Sequence, residues 1–180
     1  MVLEKGQSEF LNPTTILNGL GLKSNMLAAE FGCGSGGFAI PLANILEDGF
    51  VFAIDIQTAP LSALKSKAIS ERVNNIRIVH SDLEKSRGSS LSDLYLDLVL
   101  IPNLLFQVAD KRVIISEAIR ILKKRGKLAI IDWSPSVLQR PEGNRVSPED
   151  IKTLCLDLGL DLEKEISAGK YHYCLVFIKK

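Results

Sequence analysis

Cysteine, histidine and tryptophan are scarce in this chain: three, two and one among 180 residues. Cys33, Cys155 and Cys174 are odd in number and far apart, which gives neither a disulfide framework nor a C-x-x-C metal pair. His80 and His172 are equally separated, so no metal site is expected. Charge of either sign is not in excess, with 22 basic residues against 21 acidic ones. That balance lacks the broad basic footprint of a nucleic-acid binder. The local basic cluster Lys123-Lys124-Arg125 is assigned to a helix end, where cations complement the helix dipole. No apolar stretch approaches the length of a membrane span, and Met1-Val2-Leu3-Glu4-Lys5 lacks the layout of a signal peptide. The expected compartment is the cytoplasm, with no membrane partner. The length suits one domain, 1–180, able to bury a substantial core.

Glycine, by contrast, is concentrated. The apolar run Met26-Leu27-Ala28-Ala29 ends in Glu30, and Phe31-Gly32-Cys33-Gly34-Ser35-Gly36-Gly37 follows. The run reads as a short buried strand, and Phe38 to Leu46 has helical apolar spacing. The glycines therefore form a strand-to-helix turn where missing side chains let a ligand approach the backbone. The N–H groups at a helix start would favour anionic groups there. A turn without a ligand would not need four glycines, each costly in chain entropy. Gly32, Gly34 and Gly37 satisfy the dinucleotide pattern G-x-G-x-x-G, with Asp55 placed to hold a ribose. On that pattern alone two cofactor classes remain open. Glu30 tips the balance, because an acid there opposes a pyrophosphate but suits an ammonium group.

The remaining elements alternate. A first short helix is expected over 14–20 after Asn12-Pro13, a strand over 26–31 and a helix over 36–47. Strands over 50–55, 76–79 and 96–101 follow, the last broken by Pro102, with an amphipathic helix at 59–70. Residues 111–124 have helical spacing ended by Gly126, then Leu128 to Ile131 forms a strand ending at Asp132. Ser147 caps a helix over 149–158, and strands over 161–167 and 172–179 close the chain. The alternation implies an α/β, Rossmann-like, doubly wound parallel sheet.

Glu30, Gly32, Gly34 and Gly36 together resemble the first motif of class I S-adenosylmethionine-dependent methyltransferases, an acid followed by G-x-G-x-G. That fold has seven strands, mostly parallel, with an antiparallel hairpin at the C-terminus, and the resemblance covers nearly the whole chain. It implies S-adenosyl-L-methionine as cofactor, held by Glu30, Phe31, Gly32, Cys33, Gly34 and Gly36 in the turn. Asp55 and Ile56 follow strand two, where a carboxylate accepts from both ribose hydroxyls. Ser81, Asp82 and Leu83 follow strand three, with Asp82 at the family's adenine position. Arg120-Ile121-Leu122-Lys123-Lys124-Arg125-Gly126 resembles the quinone-biosynthesis-type (UbiE-like) small-molecule branch, as do Arg145-Val146-Ser147-Pro148-Glu149-Asp150 and Tyr171-His172-Tyr173. The resemblance implies methyl transfer to a small molecule, with a homodimer possible. Arsenite-methylating members use several cysteines, and this chain lacks a suitable set.

No catalytic residue is assigned. Pro102-Asn103-Leu104-Leu105-Phe106 departs in order from the Asn-Pro-Pro-Tyr motif of amino-group methyltransferases, which weakens base or glutamine methylation. Asn103 and Trp133 are candidates for the pocket wall. His172 is a third, although periodicity leaves its facing open and a structural role in the terminal hairpin is expected of it. Asp97 is expected to be structural. Two other readings remain: a cofactor-binding regulator or inactive partner subunit, and a methyltransferase acting on RNA or protein, with neutral charge against RNA.

Overall fold

The computed structural model describes residues 10–135, 144 and 146–180. Arg145 and the first five residues, on which two of the expectations above rest, lie outside that set. Five helices and seven strands are described: α1 (Pro13–Gly19), β1 (Leu27–Phe31), α2 (Ala39–Ile45), β2 (Phe50–Asp55), α3 (Thr58–Ser70), β3 (Ile76–His80), β4 (Leu96–Pro102), α4 (Lys111–Ile121), β5 (Leu122–Trp133), α5 (Pro148–Asp157), β6 (Leu160–Ser167) and β7 (His172–Lys179).

The strands form one sheet in the order β3-β2-β1-β4-β5-β7-β6. β1 through β5 pair in parallel, while β7 runs antiparallel to both β5 and β6. Two layers of side chains cover the sheet, as strand alternation requires. One layer packs Ala28, Ala53, Leu98, Leu100 and Ile131 against Ile16, Leu42 and Leu64 of α1, α2 and α3. The other packs Phe31, Ile54, Val99, Ile101, Leu128 and Phe177 against Ile114, Ala118 and Ile151 of α4 and α5. All three cysteines are buried and unpaired.

Local signals explain most boundaries. The Asn12 side chain accepts from Thr15 N–H (3.3 Å) with Pro13 behind it, so α1 begins one residue earlier than expected. Ser147 Oγ accepts from Asp150 N–H (3.0 Å) at the start of α5, as expected. α2 is shorter than its apolar spacing suggested, because the glycines stay in turns up to Phe38. Pro102 ends β4 from within and does not precede a break.

α4 differs most. The helix stops at Ile121, because Leu122 turns extended and pairs with Leu96 of β4. Lys123, Lys124, Arg125 and Gly126 therefore belong to β5, and the basic cluster does not cap a helix. Lys179 of β7 takes that role, its Nζ donating to Ile119 O (2.6 Å) and Leu122 O (2.8 Å). Lys123 instead pairs with Asp97 (2.7 Å), whose other oxygen accepts from Leu27 N–H (2.8 Å). Asp97 is thus structural, joining β1, β4 and β5.

Among the described residues, no helix is long and apolar enough to cross a membrane.

Candidate functional site

The chain winds from β1 to β2 and β3 in one direction and from β4 to β5 in the other, so strand order reverses between β1 and β4. A ligand cleft in an open α/β sheet forms beyond the carboxyl ends at that point. A cleft of about 320 Å³ lies there, lined by the turn after β1, the ends of β2 and β3, and the segment after β4. Among the expected site residues it gathers Gly32, Gly34, Asp55, Ile56, Ser81, Asp82 and Leu83. A larger groove of about 710 Å³ runs between α3 and β3 at the sheet edge, away from the glycine turn.

The turn is fixed by its neighbours. Gly32 N–H and Cys33 N–H both donate to Ile54 O (2.8 and 3.1 Å), and Asp55 Oδ2 accepts from Gly34 N–H (2.8 Å). Asp55 Oδ1 accepts from Gln57 N–H (2.9 Å), so this carboxylate straps the turn to β2 while facing the cleft. Gly32 is required twice over: its φ is +70°, and a Cβ there would stand 3.0 Å from the Leu104 side chain. Gly36, at φ +89°, would overlap Leu64 if it carried a Cβ, so it serves the packing of α3. Phe31 and Cys33 turn into the two core layers and do not line the cleft.

Asp82 Oδ1 accepts from Glu84 N–H (3.0 Å), and Ser81 N–H donates to Asp55 O (3.0 Å), which holds the third strand end against the second. Glu84, Gln107, Val108 and Ile114 also line the cleft and were not singled out from the sequence. Three carboxylates, Asp55, Asp82 and Glu84, face it, and among the described residues no Lys, Arg or His lines it, although Lys85 Nζ stands 3.7 Å from Asp82 Oδ2. That lining repels a pyrophosphate and attracts a cation.

Glu30 lies behind the turn, 2% exposed. The Ala39 N–H donates to its carboxyl, yet Oε2 is buried without a hydrogen-bond partner among the described residues. Burial first, and the nearby Asp55 charge second, push its pKa well above the usual carboxylate range against that hydrogen bond. A buried carboxyl oxygen with no partner is what an incoming ammonium group would satisfy. The residues present therefore fit the cofactor that the sequence resemblance implies.

Asn103, just after β4, holds a left-handed backbone (φ 52°) with its N–H on Ile131 O (2.8 Å), and its Oδ1 is buried without a partner. Trp133 and His172 face each other across β5 and β7, ring centroids 4.2 Å apart. Neither His172 nitrogen has a hydrogen-bond partner among the described residues, and burial lowers its pKa. These three residues stand beside the lined cleft and not in its wall.

Asp132 was read from sequence only as the end of a strand. It is 3% exposed, accepts from Trp133 N–H (2.7 Å) and Phe106 N–H (3.2 Å), and burial raises its pKa to about 6. It holds the segment after β4 in place. An acid closing an apolar strand, as Asp55 does, was the available signal.

Comparison with known proteins agrees with this geometry. A methyltransferase-domain family model matches residues 22–175. No curated protein matches the sequence. Among solved structures, a SAM-dependent methyltransferase from Aquifex aeolicus superposes with a TM-score of 0.85 at 23% identity, covering 96% of this chain and 92% of that one. Geranyl diphosphate C-methyltransferase from Streptomyces coelicolor gives 0.77 at 13% identity, covering 93% and 79%. Magnesium protoporphyrin IX methyltransferase from Synechocystis, with bound SAM, gives 0.75 at 18%, covering 93% and 78%. At such identities the likeness is one of fold. With the family model spanning β1 through β6 in full and most of the chain, the protein belongs to the methyltransferase-domain family.

Proposed function

We propose that the chain is an S-adenosylmethionine-dependent methyltransferase acting on a small-molecule acceptor. The observation that carries this reading is the cleft at the strand-order reversal, lined among the described residues by the carboxylates Asp55, Asp82 and Glu84 and by no cationic side chain, with the buried Glu30 Oε2 without a partner. Glu30 takes the cofactor's ammonium group, Asp55 its ribose hydroxyls and Asp82 its adenine amino group. Ser81, Leu83 and Ile56 flank the nucleoside, and Gly32 and Gly34 admit it to the backbone. When bound, the cofactor supplies a methyl group made electrophilic by its sulfonium.

The protein's own task is then to hold a nucleophile in line and exclude water. The segment Leu104 to Val108, fixed by Asp132, forms the side of the cleft from which an acceptor is presented. A near-neutral chain offers no broad surface for RNA, which supports a small acceptor. The Arg120–Gly126 run supports a place beside the quinone-biosynthesis branch, with the whole chain acting as one methyltransferase domain. The substrates named for the structural neighbours, geranyl diphosphate and a magnesium porphyrin, are small molecules as well.

Calorimetric titration with S-adenosylmethionine, S-adenosylhomocysteine and NAD tests the reading. The first two should bind and NAD should not. Tight binding of NAD with none of S-adenosylhomocysteine would overturn it.

A further inference from the structure

The sheet has two edges, β3 and β6, and they are finished differently. β6 carries Asp161, Glu163 and Glu165, each ion-paired, to Lys180 (3.1 Å), Lys127 (3.1 Å) and Lys152 (2.6 Å). Charges along an edge strand deter another strand from pairing there. β3, Ile-Arg-Ile-Val-His, has no Lys, Asp or Glu, and its register with β2 is unbroken. Val51 N–H donates to Asn75 O (2.9 Å) and Ser81 N–H donates to Asp55 O (3.0 Å), so the odd-numbered residues turn their backbone groups to β2. By strand alternation Ile76, Ile78 and His80 turn theirs outward, where no strand of the described residues meets them.

The groove of about 710 Å³ runs along this edge. Ile76 and Ile78 form its apolar floor, and Ile69 of α3 stands on its wall, 69% exposed. Lys65, Arg77 and His80 also line it, and among the described residues no Asp or Glu does. Neither Lys65 nor Arg77 has an ion-pair partner among those residues, and His80 Nε2 lies 2.9 Å from Ile56 O. An extended chain laid here would pair with the outward backbone groups, set alternate side chains over the apolar floor and meet unopposed positive charge. A second copy is the wrong occupant. A two-fold pairing of β3 with itself would set the same cations against one another, with no acid of the groove to offset them.

We propose that the β3 edge is a docking site for an acidic, extended segment of a partner protein, which adds to the sheet as a further strand. Main-chain hydrogen bonds to Ile76, Ile78 and His80 supply the pairing. Apolar side chains of the segment enter the groove beside α3, and its carboxylates meet Lys65 and Arg77. The five residues of β3 set the paired length. The assignment stands apart from the methyltransferase reading, since the groove and the cofactor cleft share no lining residue.

The probe is a fluorescein-labelled peptide, Glu-Val-Glu-Val-Glu-Val-Glu-amide, with a counterpart carrying Lys in place of each Glu. Fluorescence anisotropy with the full chain at low salt should show saturable binding of the acidic peptide, at least about tenfold tighter than the basic one. Ile78→Pro removes an outward N–H from an edge strand and should abolish binding, while circular dichroism shows the fold intact. The double variant Lys65→Glu with Arg77→Glu changes two exposed side chains. It should reverse the preference between the peptides, and it serves if the proline variant does not fold. No binding of the acidic peptide up to about 1 mM, equal binding of both peptides, binding that survives Ile78→Pro in the folded protein, or a preference unchanged by the double variant would overturn the assignment. So would a wild-type dimer that Ile78→Pro dissociates in analytical ultracentrifugation, because the occupant would then be a second copy.

Discussion

Between the β3–β4 connection and α4, the buried polar groups are mutually paired, whereas at the carboxyl ends of β1 and β4 and the start of β7 several have no partner. Glu117 Oε1 accepts from Ser89 N–H (2.9 Å) and from Arg120 Nη2 (2.7 Å), and its Oε2 accepts from Arg120 Nε (2.8 Å). Arg120 also reaches Asp93 (2.5 Å), which Arg87 contacts as well (2.8 Å). Burial opposes the Glu117 charge, yet the Arg120 guanidinium and the Ser89 donors outweigh it and keep its pKa low. The segment from Ser81 to Tyr95 has no helix or strand of its own, and it carries Ser81, Asp82 and Leu83. It needs an outside anchor, and this network is one. Saturated polar groups here fix shape, and the rim carries those that have no partner among the described residues.

Breaking the network should have the largest effect. Glu117→Ala leaves a guanidinium and a buried serine without their acceptor and should destabilise the fold by about 3 kcal/mol, read from denaturant unfolding. A loss below about 1 kcal/mol would mean that the network is no more than a surface ion pair.

Asp132 stands between the two cases, bonded only by backbone N–H groups. Its folded pKa of about 6 is raised above that of an unfolded chain, so its contribution is fully favourable below about pH 4 and is lost as pH rises through about 6. The loss should be on the order of 2–3 kcal/mol. Unfolding measured across that window should show the decline, and Asp132→Asn should flatten it. An equal slope in both proteins would remove the assignment.

Asp55→Ala should weaken S-adenosylhomocysteine binding by about 2–3 kcal/mol, because two hydroxyls lose a charged acceptor and Gly34 loses its strap. An unchanged dissociation constant in the folded variant would make Asp55 a structural residue alone.

Glu30→Gln sharpens the comparison most, although its effect is the smallest. It should weaken ligand binding about tenfold, or about 1.4 kcal/mol, yet raise the melting temperature of the ligand-free protein. A buried carboxyl with a raised pKa disfavours its own ionised form, and the amide removes that cost. A lower melting temperature would show that Glu30 belongs with the saturated groups.

The sequence made the first half of the site legible because backbone demands restrict residue choice. Gly32 and Gly34 sit at positive φ, and Asp55 and Asp82 close strands at the switch point, which only chain order is needed to locate. Beyond it the sequence offered only single candidates. Trp133 and His172 meet through the β5–β7 register, a pairing between segments some 40 residues apart in sequence that no local pattern encodes. The end of α4 misled for a related reason. Its apolar spacing runs on past Ile121, but the pairing of Leu122 with Leu96 wins the backbone for the sheet. Glu117 was missed because an acid on a helix reads as solvent-facing until Arg120 and Ser89 are seen to close over it.

The three cysteines, buried in the two core layers, have a practical corollary. Burial pushes the thiols of Cys155 and Cys174 up to about 12 and raises Cys33 further, so none offers a thiolate at neutral pH. To an alkylating dye the folded molecule is a blank. A single new cysteine on the exposed cleft rim, at Gln107 for example, would take the label alone. Energy transfer from the one indole to that label would then measure, without removing any native thiol, how the rim moves as each of the two substrates arrives.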